Sequence, residues 1–259
     1  MTESSPSPDG VGRTLTRNKE GKATSTSHRP SFLLLGDSIT QFGARHDPVG
    51  WSMLLASKYT GERKADILNE GFSGYNTRWV LRILPHILKD VPQNQVLLVT
   101  VMLGANDATA PDHYQHVPLD EYGDNLRAIV EQLRQTLPNA IVIILSPPPL
   151  DFDAHNSGRD PNDKDGRSLE NVQKYAARAM KVAQDAQVLS LDICTLMHAE
   201  PNWKEMLCDG LHLASSGNGF LHDQLMQLIT AKTPHLTVEA LPLHLPHHTE
   251  AGQFDFGTL

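Results

Sequence analysis

Cysteine is scarce in this sequence, and its scarcity limits the classes of protein to which the chain can belong. Only Cys194 and Cys208 occur in 259 residues, without a CxxC spacing. This is far below the density of a disulfide-stapled domain and fits a reducing compartment, although a disulfide between the two stays open. No apolar run approaches the roughly 20 residues of a membrane-spanning helix. We therefore expect no membrane span.

Positive charge is also in short supply. The 22 Lys and Arg are outnumbered by 30 Asp and Glu, for a formal net charge of -8. Proteins that bind nucleic acid need a basic surface, so we expect no nucleic-acid partner. Oligomeric state is left open by the sequence.

Large apolar residues are nearly absent from residues 1–28. This segment cannot offset its own ordering entropy by burial, and we predict a disordered N-terminal tail. It lacks the apolar stretch of a secretory signal, and Glu3, Asp9 and Glu20 count against an acid-poor transit peptide without excluding one. The expected location is the cytoplasm.

Several well-known motifs are missing, namely the Walker loop, GxGxxG, HExxH and GxSxG. The absence of GxSxG argues against the α/β-hydrolase fold, in which the nucleophile sits on a sharp turn later in the sheet.

Beyond the tail, apolar runs alternate with segments of helical periodicity. The strand candidates are Phe32–Leu35, Asp66–Leu68, Val96–Leu103, Ala140–Leu145 and Val188–Leu191. The helix candidates are Trp51–Tyr59, Arg78–Leu88, Leu119–Thr136, Leu169–Gln184 and Phe220–Ile229. This βα alternation predicts one α/β domain over residues 29–232, with a five-stranded parallel sheet between two helical layers.

Two segments fall outside this alternation. Residues 151–167 are rich in Asp, Asn and Gly and are interpreted as a surface loop after the fourth strand. Residues 233–259 are rich in Pro and His and are expected to pack as an extended C-terminal segment.

Small and polar residues follow each of the first three strands. Gly36-Asp37-Ser38 follows the first, residues 69–74 (NEGFSG) follow the second, and residues 103–107 (LGAND) follow the third. Ligands of an open parallel sheet bind outside the carboxyl ends of the strands. The sequence therefore predicts a site at this edge, although each group taken singly is an ordinary turn.

A serine nucleophile needs a base, an acid that orients the base, and donors aimed at the oxyanion. His212 is the best placed of the thirteen histidines, because Asp209 precedes it by three residues beyond the fifth strand. On a helical turn both side chains would lie on one face, and the histidine could reach Ser38. A surface ion pair is the alternative reading.

GDSIT around Ser38, the Gly74 segment, GAND around Asn106 and DGLH around His212 together resemble the four blocks of the SGNH hydrolases, or GDSL esterases. Stretches such as GFSGYNTRW and CDGLHLASSGN are similar to the isoamyl acetate-hydrolysing esterase-like subgroup, with Cys208 where that subgroup usually has Ser. The resemblance covers nearly the whole ordered part of the chain. It implies the flavodoxin-like α/β/α fold of this family.

The resemblance also implies roles for these residues. Ser38 is expected to be the nucleophile, His212 the general base and later acid, and Asp209 the residue that orients His212. The backbone N–H groups of Ser38 and Gly74 and the side-chain amide of Asn106 are expected to form the oxyanion hole. No metal or cofactor is required.

Other candidates are weaker. Phe72, Tyr75 and Trp79 lie close to Gly74 in sequence and could line a substrate pocket, but the helical spacing favours Trp79 as a core residue. Two His-containing groups could in principle bind a metal, but a solvated loop and a Pro-containing tail are the favoured interpretations. They are Asp112, His113 and His116, and His244, His247 and His248.

The expected function is hydrolysis of small, short-acyl carboxylic esters through an acyl-enzyme. A thioesterase, a lysophospholipase or a carbohydrate deacetylase would use the same residues, and a non-catalytic binding protein of this fold is a further alternative. Substrate choice resides in loops whose shape the sequence does not reveal.

Overall fold

The structure is a computed structural model that describes residues 29–160, 165–245 and 247–249. It also places two short antiparallel strands, β1 (Thr16–Arg17) and β2 (Ala23–Thr24), within the predicted tail. The predicted disorder of the rest of that tail lies outside the described residues.

A five-stranded parallel sheet forms the centre of the domain, as predicted. Its strands are β3 (Ser31–Gly36), β4 (Asp66–Gly71), β5 (Val96–Met102), β6 (Ile141–Leu145) and β7 (Leu189–Leu191). They lie in the order β4-β3-β5-β6-β7, and every neighbouring pair is parallel. Both β3 and β5 are buried along their whole length, because helices cover both faces of the sheet.

In the described ranges, the five predicted helices are present together with three shorter ones. The helices are α1 (Ser38–Phe42), α2 (Trp51–Tyr59), α3 (Thr77–Asp90), α4 (Leu119–Thr136), α5 (Phe152–Asn156), α6 (Leu169–Asp185), α7 (Ile193–His198) and α8 (Ser215–Lys232). The sequence did not predict α1, α5 and α7, because five or six residues are too few to show helical periodicity.

The helices form two layers. Helices α3, α4 and α6 pack side by side on one face, and α2 packs against α8 on the other. This follows from right-handed crossovers, since the chain winds outward from β3 in one direction to β4 and in the other to β5, β6 and β7. The strand order therefore reverses between β3 and β5, which opens a crevice at their carboxyl ends.

The interpretation of residues 151–167 as a surface loop holds for most of the described side chains, which are exposed, but not for the whole segment. It contains α5, and the side chains of His155, Asp165 and Arg167 are buried. The composition is typical of a loop, but these polar groups find partners inside the protein, which removes the usual cost of burying them.

The described part of the C-terminal segment packs against the domain. A short 3-10 helix spans Pro234–Leu236, and both Leu236 and Leu241 are buried. The Lys64 ammonium donates to the Leu241 carbonyl at 2.7 Å. The prediction for residues 250–259 lies outside the described residues.

Candidate active site

Ser38 lies where β3 turns sharply into α1. Asp37 caps the helix, since its Oδ1 accepts the Ile39 N–H at 2.9 Å. A Cβ at position 36 would lie 2.7 Å from the Met102 carbonyl oxygen of the neighbouring strand, so the close approach of the two backbones requires glycine there. The Gly-Asp-Ser sequence thus places the Ser38 side chain at the carboxyl edge of the sheet.

The structure brings Ser38, His212 and Asp209 together. His212 Nε2 lies 2.9 Å from Ser38 Oγ, and His212 Nδ1 lies 2.7 Å from Asp209 Oδ2. Burial alone would raise the pKa of Asp209, but hydrogen bonds from the side chain and backbone of His212 hold it well below its usual range. A hydroxyl, an imidazole and an ionised carboxylate therefore form one hydrogen-bonded chain.

The expectation that Asp209 and His212 share a helical turn is wrong. They lie in a loop closed by an antiparallel bridge between Leu207 and Leu213. Asp209 Oδ1 accepts the backbone N–H groups of Leu211 at 3.0 Å and His212 at 2.7 Å, which bends the chain so that the two side chains meet. Residues three apart are therefore brought together here by a turn that the Asp209 side chain closes, and not by a helix.

The His212 ring also has a packing partner that the sequence did not indicate. Phe42, at the end of α1, lies 5.0 Å from it between ring centroids. The Arg45 guanidinium carbon in turn lies 3.6 Å from the Phe42 ring centroid. The histidine is thus oriented by an aromatic contact as well as by Asp209.

The other predicted donors lie past the ends of the two strands beside β3. Gly74 follows β4 with φ of +81°, and its N–H donates to no acceptor in the described part of the chain. Asn106 follows β5 and is buried, with Nδ2 2.8 Å from the Tyr75 carbonyl oxygen. Ser38, Gly74 and Asn106 therefore converge from three adjacent strands on one edge of the sheet.

Two buried carboxyls adjoin these residues, and sequence reasoning treated both only as turn residues. Burial raises the pKa of Asp37 to about 6, against the opposing hydrogen bond from Ile39 and the charge of His212. Burial likewise raises the pKa of Asp107 to about 7, although Oδ1 accepts the Thr77 N–H at 2.9 Å. Asp107 Oδ2 has no partner among the described residues. Their positions directly before Ser38 and directly after Asn106 were the available signal.

The predicted pocket residues form part of a row of rings. Successive centroids lie 5.4 Å apart from Phe72 to Tyr75, 5.9 Å from Tyr75 to Trp79 and 6.1 Å from Trp79 to Tyr114. Trp79 is half-buried and lies outside the hydrophobic core, so the core interpretation of Trp79 is wrong. Tyr114, 74% exposed, was not predicted. We call these four residues the aromatic row.

The two His-containing groups considered as metal ligands have other contacts. His116 Nδ1 lies 2.7 Å from the Thr109 carbonyl oxygen, and the His113 ring packs on Tyr114. In the described ranges, no three His, Cys, Asp or Glu side chains are grouped so that they could hold a metal ion. Cys194 is buried, Cys208 is exposed, and neither is in a disulfide. No described helix is both long enough and apolar enough to span a membrane.

The sequence is similar to those of known proteins. The model of the GDSL-like lipase/acylhydrolase family matches residues 34–219. The isoamyl acetate-hydrolyzing esterase 1 homolog of Rattus norvegicus is 43% identical over 227 residues, which cover 84% of this chain and 86% of the relative. The isoamyl acetate-hydrolyzing esterase of Saccharomyces cerevisiae is 34% identical over 214 residues, covering 78% and 87%. The resemblance inferred from the four blocks is confirmed.

Solved structures show the same fold. The lipase/acylhydrolase from Enterococcus faecalis matches with a TM-score of 0.62 at 21% identity, covering 78% of this chain and 96% of that one. At this identity the likeness supports the α/β/α architecture, while the family match and the closer relatives support the chemistry. The chain belongs to the GDSL-like lipase/acylhydrolase family and is a carboxylic ester hydrolase.

Proposed function

We propose that this protein is a serine esterase that hydrolyses small carboxylic esters with short acyl groups through an acyl-enzyme. The observation that carries the proposal is the hydrogen-bonded chain from Ser38 Oγ through His212 to Asp209, with distances of 2.9 Å and 2.7 Å. The short acyl group is supported by the relatives named for isoamyl acetate hydrolysis. Small-molecule esters are therefore the proposed substrates.

Acylation begins at Ser38. Its Oγ attacks the ester carbonyl carbon while the hydroxyl proton passes to His212 Nε2. Asp209 keeps the other ring nitrogen protonated and stabilises the imidazolium that forms. The carbonyl oxygen becomes an oxyanion. It accepts hydrogen bonds from the backbone N–H groups of Ser38 and Gly74 and from one side-chain N–H of Asn106.

Collapse of the tetrahedral intermediate releases the alcohol. The bond between the carbonyl carbon and the alkoxy oxygen breaks, and His212 gives its proton to that oxygen. A water molecule then attacks the acyl group on Ser38, with His212 taking its proton and returning it to Ser38 Oγ as the acid departs. Each step is performed by residues of this chain.

The aromatic row is proposed to bind the apolar part of the substrate. It starts beside the oxyanion donor Gly74 and runs outward to the exposed Tyr114. The carbonyl of Tyr75 accepts Asn106 Nδ2, so the row and the oxyanion hole share a residue. Aromatic rings bury apolar groups with little loss of side-chain entropy, because they rotate about only two bonds.

The cytoplasm is the proposed location. Two cysteines in 259 residues fit a reducing compartment, in which thiols stay unpaired.

Hydrolysis of p-nitrophenyl acetate, butyrate and decanoate by the wild type, Ser38→Ala and Ser73→Ala tests the proposal. Ser73 is an exposed serine next to Gly74 and serves as the control. We expect turnover of the short esters by the wild type and Ser73→Ala and none by Ser38→Ala. A fluorophosphonate probe should label Ser38, as read by mass spectrometry of the peptides.

Folded wild-type protein that neither turns over these esters nor reacts with the probe would contradict the proposal and favour a binding protein. A preference for the decanoate would move the assignment towards a lysophospholipase. Parallel measurement with acyl thioesters would distinguish a thioesterase.

A further inference from the structure

The amide of Asn106 must present its nitrogen to a substrate oxygen, and this requires that its own oxygen be held elsewhere. Asn106 Oδ1 accepts from Arg167 Nη2 at 2.8 Å and from Gln115 Nε2 at 3.2 Å. Both lone pairs of this oxygen therefore have donors. Because a guanidinium has donors only, the orientation of the Asn106 amide follows from its contact with Arg167.

The orientation of Gln115 is determined in the same way. Its Nε2 donates to the Gly74 carbonyl oxygen at 2.6 Å, and a carbonyl oxygen can only accept. On the opposite side, Asn106 Nδ2 donates one hydrogen to the Tyr75 carbonyl at 2.8 Å. The second hydrogen of this nitrogen has no acceptor among the described residues and is the one available to a substrate oxygen.

The Arg167 side chain is buried and is held by several polar partners. It is only 5% exposed, and its Nε donates to the Ala105 carbonyl at 2.8 Å. Its Nη1 forms an ion pair with Asp165 Oδ2. One planar guanidinium thus contacts two consecutive residues, Ala105 and Asn106, and a buried carboxylate. The more compact ammonium of lysine could not make these three contacts at once.

The carboxylate that pairs with Arg167 is itself anchored. Asp165 Oδ2 lies 2.9 Å from His155 Nε2 and 3.0 Å from Arg159 Nη1. Burial alone would raise the pKa of Asp165, but the hydrogen bond from His155 and the charge of Arg167 hold it below its usual range. Arg167 is therefore a buried cation with a fixed counterion, and its charge also acts on Asp37 beside the nucleophile.

We propose that Arg167 is a positioning residue of the oxyanion hole: it orients the Asn106 amide through Oδ1 and strengthens the amide N–H as a donor by polarising it. This inference rests on the proposed esterase function. The gain arises in the transition state, when charge develops on the substrate oxygen, so Arg167 affects kcat more than KM.

A double-mutant cycle with Arg167→Met and Asn106→Ala tests the proposal, measured as kcat and KM for p-nitrophenyl acetate. We expect Asn106→Ala to lower kcat by about 10²- to 10³-fold, as for loss of one oxyanion donor, and Arg167→Met by about 10²-fold. If Arg167 acts through Asn106, Arg167→Met should change kcat less than about threefold in the Asn106→Ala background. KM should change little throughout.

Arg159→Gln is the matched control. It removes an ion pair with the same Asp165 carboxylate, but Arg159 is partly exposed and, among the described contacts of the chain, makes no hydrogen bond to Asn106. We expect kcat close to that of the wild type in this variant. A loss equal to that of Arg167→Met would show that only the anchoring of residues 151–167 matters, and would overturn the proposal.

Arg167→Lys keeps the buried positive charge and decides the question if Arg167→Met folds poorly. We expect it to lower kcat by about tenfold, since lysine cannot reproduce the three-way contact. Three outcomes would overturn the positioning role. They are a wild-type kcat in Arg167→Lys, an equal loss of kcat from Arg167→Met in the wild-type and Asn106→Ala backgrounds, and loss of folded protein in both Arg167 variants. Absence of turnover in the wild type would instead refute the proposed esterase function.

Discussion

Asp209 holds His212 with both of its carboxylate oxygens: Oδ2 lies 2.7 Å from the ring Nδ1, and Oδ1 accepts the backbone N–H of the same residue at 2.7 Å. The second contact determines which oxygen faces the ring. Because Oδ1 also accepts the Leu211 N–H, an amide placed at position 209 would keep its carbonyl oxygen there and turn its NH2 towards the imidazole.

We therefore expect Asp209→Asn to lower kcat by roughly 10³- to 10⁴-fold. The new NH2 would donate to Nδ1, which leaves the proton on Nε2, and Nε2 could then no longer accept the Ser38 proton. Asp223→Asn is the control, since Asp223 Oδ1 lies 2.9 Å from His222 Nδ1 in a second Asp–His pair. Steady-state kinetics of both variants give the answer, and equal activities would argue against the role of Asp209.

Gly74→Ala should separate backbone strain from catalysis. Gly74 has φ of +81° and Gly158 has φ of +74°, so alanine at either position costs about 1–2 kcal/mol. An added Cβ would meet only Gln115 Nε2 at 3.5 Å in the first case and no atom within 4 Å in the second. We expect similar falls in Tm, of about 2–8 °C.

Activity should distinguish the two glycine variants. Relaxation of the strain in Gly74→Ala would turn its N–H away from the oxyanion, and kcat should fall at least about tenfold. Gly158→Ala should keep the wild-type kcat. If both variants were as active as the wild type, the Gly74 N–H would have no part in the oxyanion hole.

The buried carboxyl of Asp107 should make folding stability depend on pH. Its pKa of about 7 lies above its usual value, so at intermediate pH the folded protein retains a proton that the unfolded chain has released. The contribution of this proton to the free energy of unfolding is complete below about pH 4 and is lost as pH rises through about 7. Asp37, with a pKa of about 6, adds to the same trend.

Asp107→Asn tests this directly. Asparagine stays neutral, and its oxygen can still accept the Thr77 N–H. Between pH 5 and 8 we expect the free energy of unfolding to fall by roughly 2–3 kcal/mol more in the wild type than in the variant. Urea titrations at several pH values measure this difference, with Asp112→Asn in an exposed loop as the control. Parallel curves for wild type and Asp107→Asn would contradict the assignment.

The aromatic row should set preference for the apolar part of the substrate. Trp79→Ala and Tyr114→Ala each remove one member of a stacked pair 6.1 Å apart. We expect KM for esters of bulky alcohols to rise about three- to tenfold, the equivalent of about 0.5–1.5 kcal/mol, and KM for methyl esters to change little. Phe152→Ala removes a half-exposed ring outside the row and should leave both unchanged. A uniform change across all esters would refute a role in specificity.

The sequence alone determined most of the architecture. Two patterns were clear enough to predict, namely the continuous apolar runs of β3, β5 and β6 and the helical periodicity of α4 and α6. Burial of whole strands and of helix faces imposes these patterns on the sequence. The sequence also predicted the candidate site: Ser38, Gly74 and Asn106 come shortly after strand ends, and Asp209 and His212 lie in the DGLH block. Their meeting at one edge then follows from the parallel topology.

The tertiary structure decided how these residues are held. The turn at Asp209 depends on hydrogen bonds to its own neighbours, and five-residue helices such as α1 owe their stability to packing and not to periodicity. Arg167 lies 61 residues from Asn106 along the chain, so no local pattern could associate them. Its surroundings have the composition of a loop, and only the fold supplies the partners that allow a charged side chain to be buried.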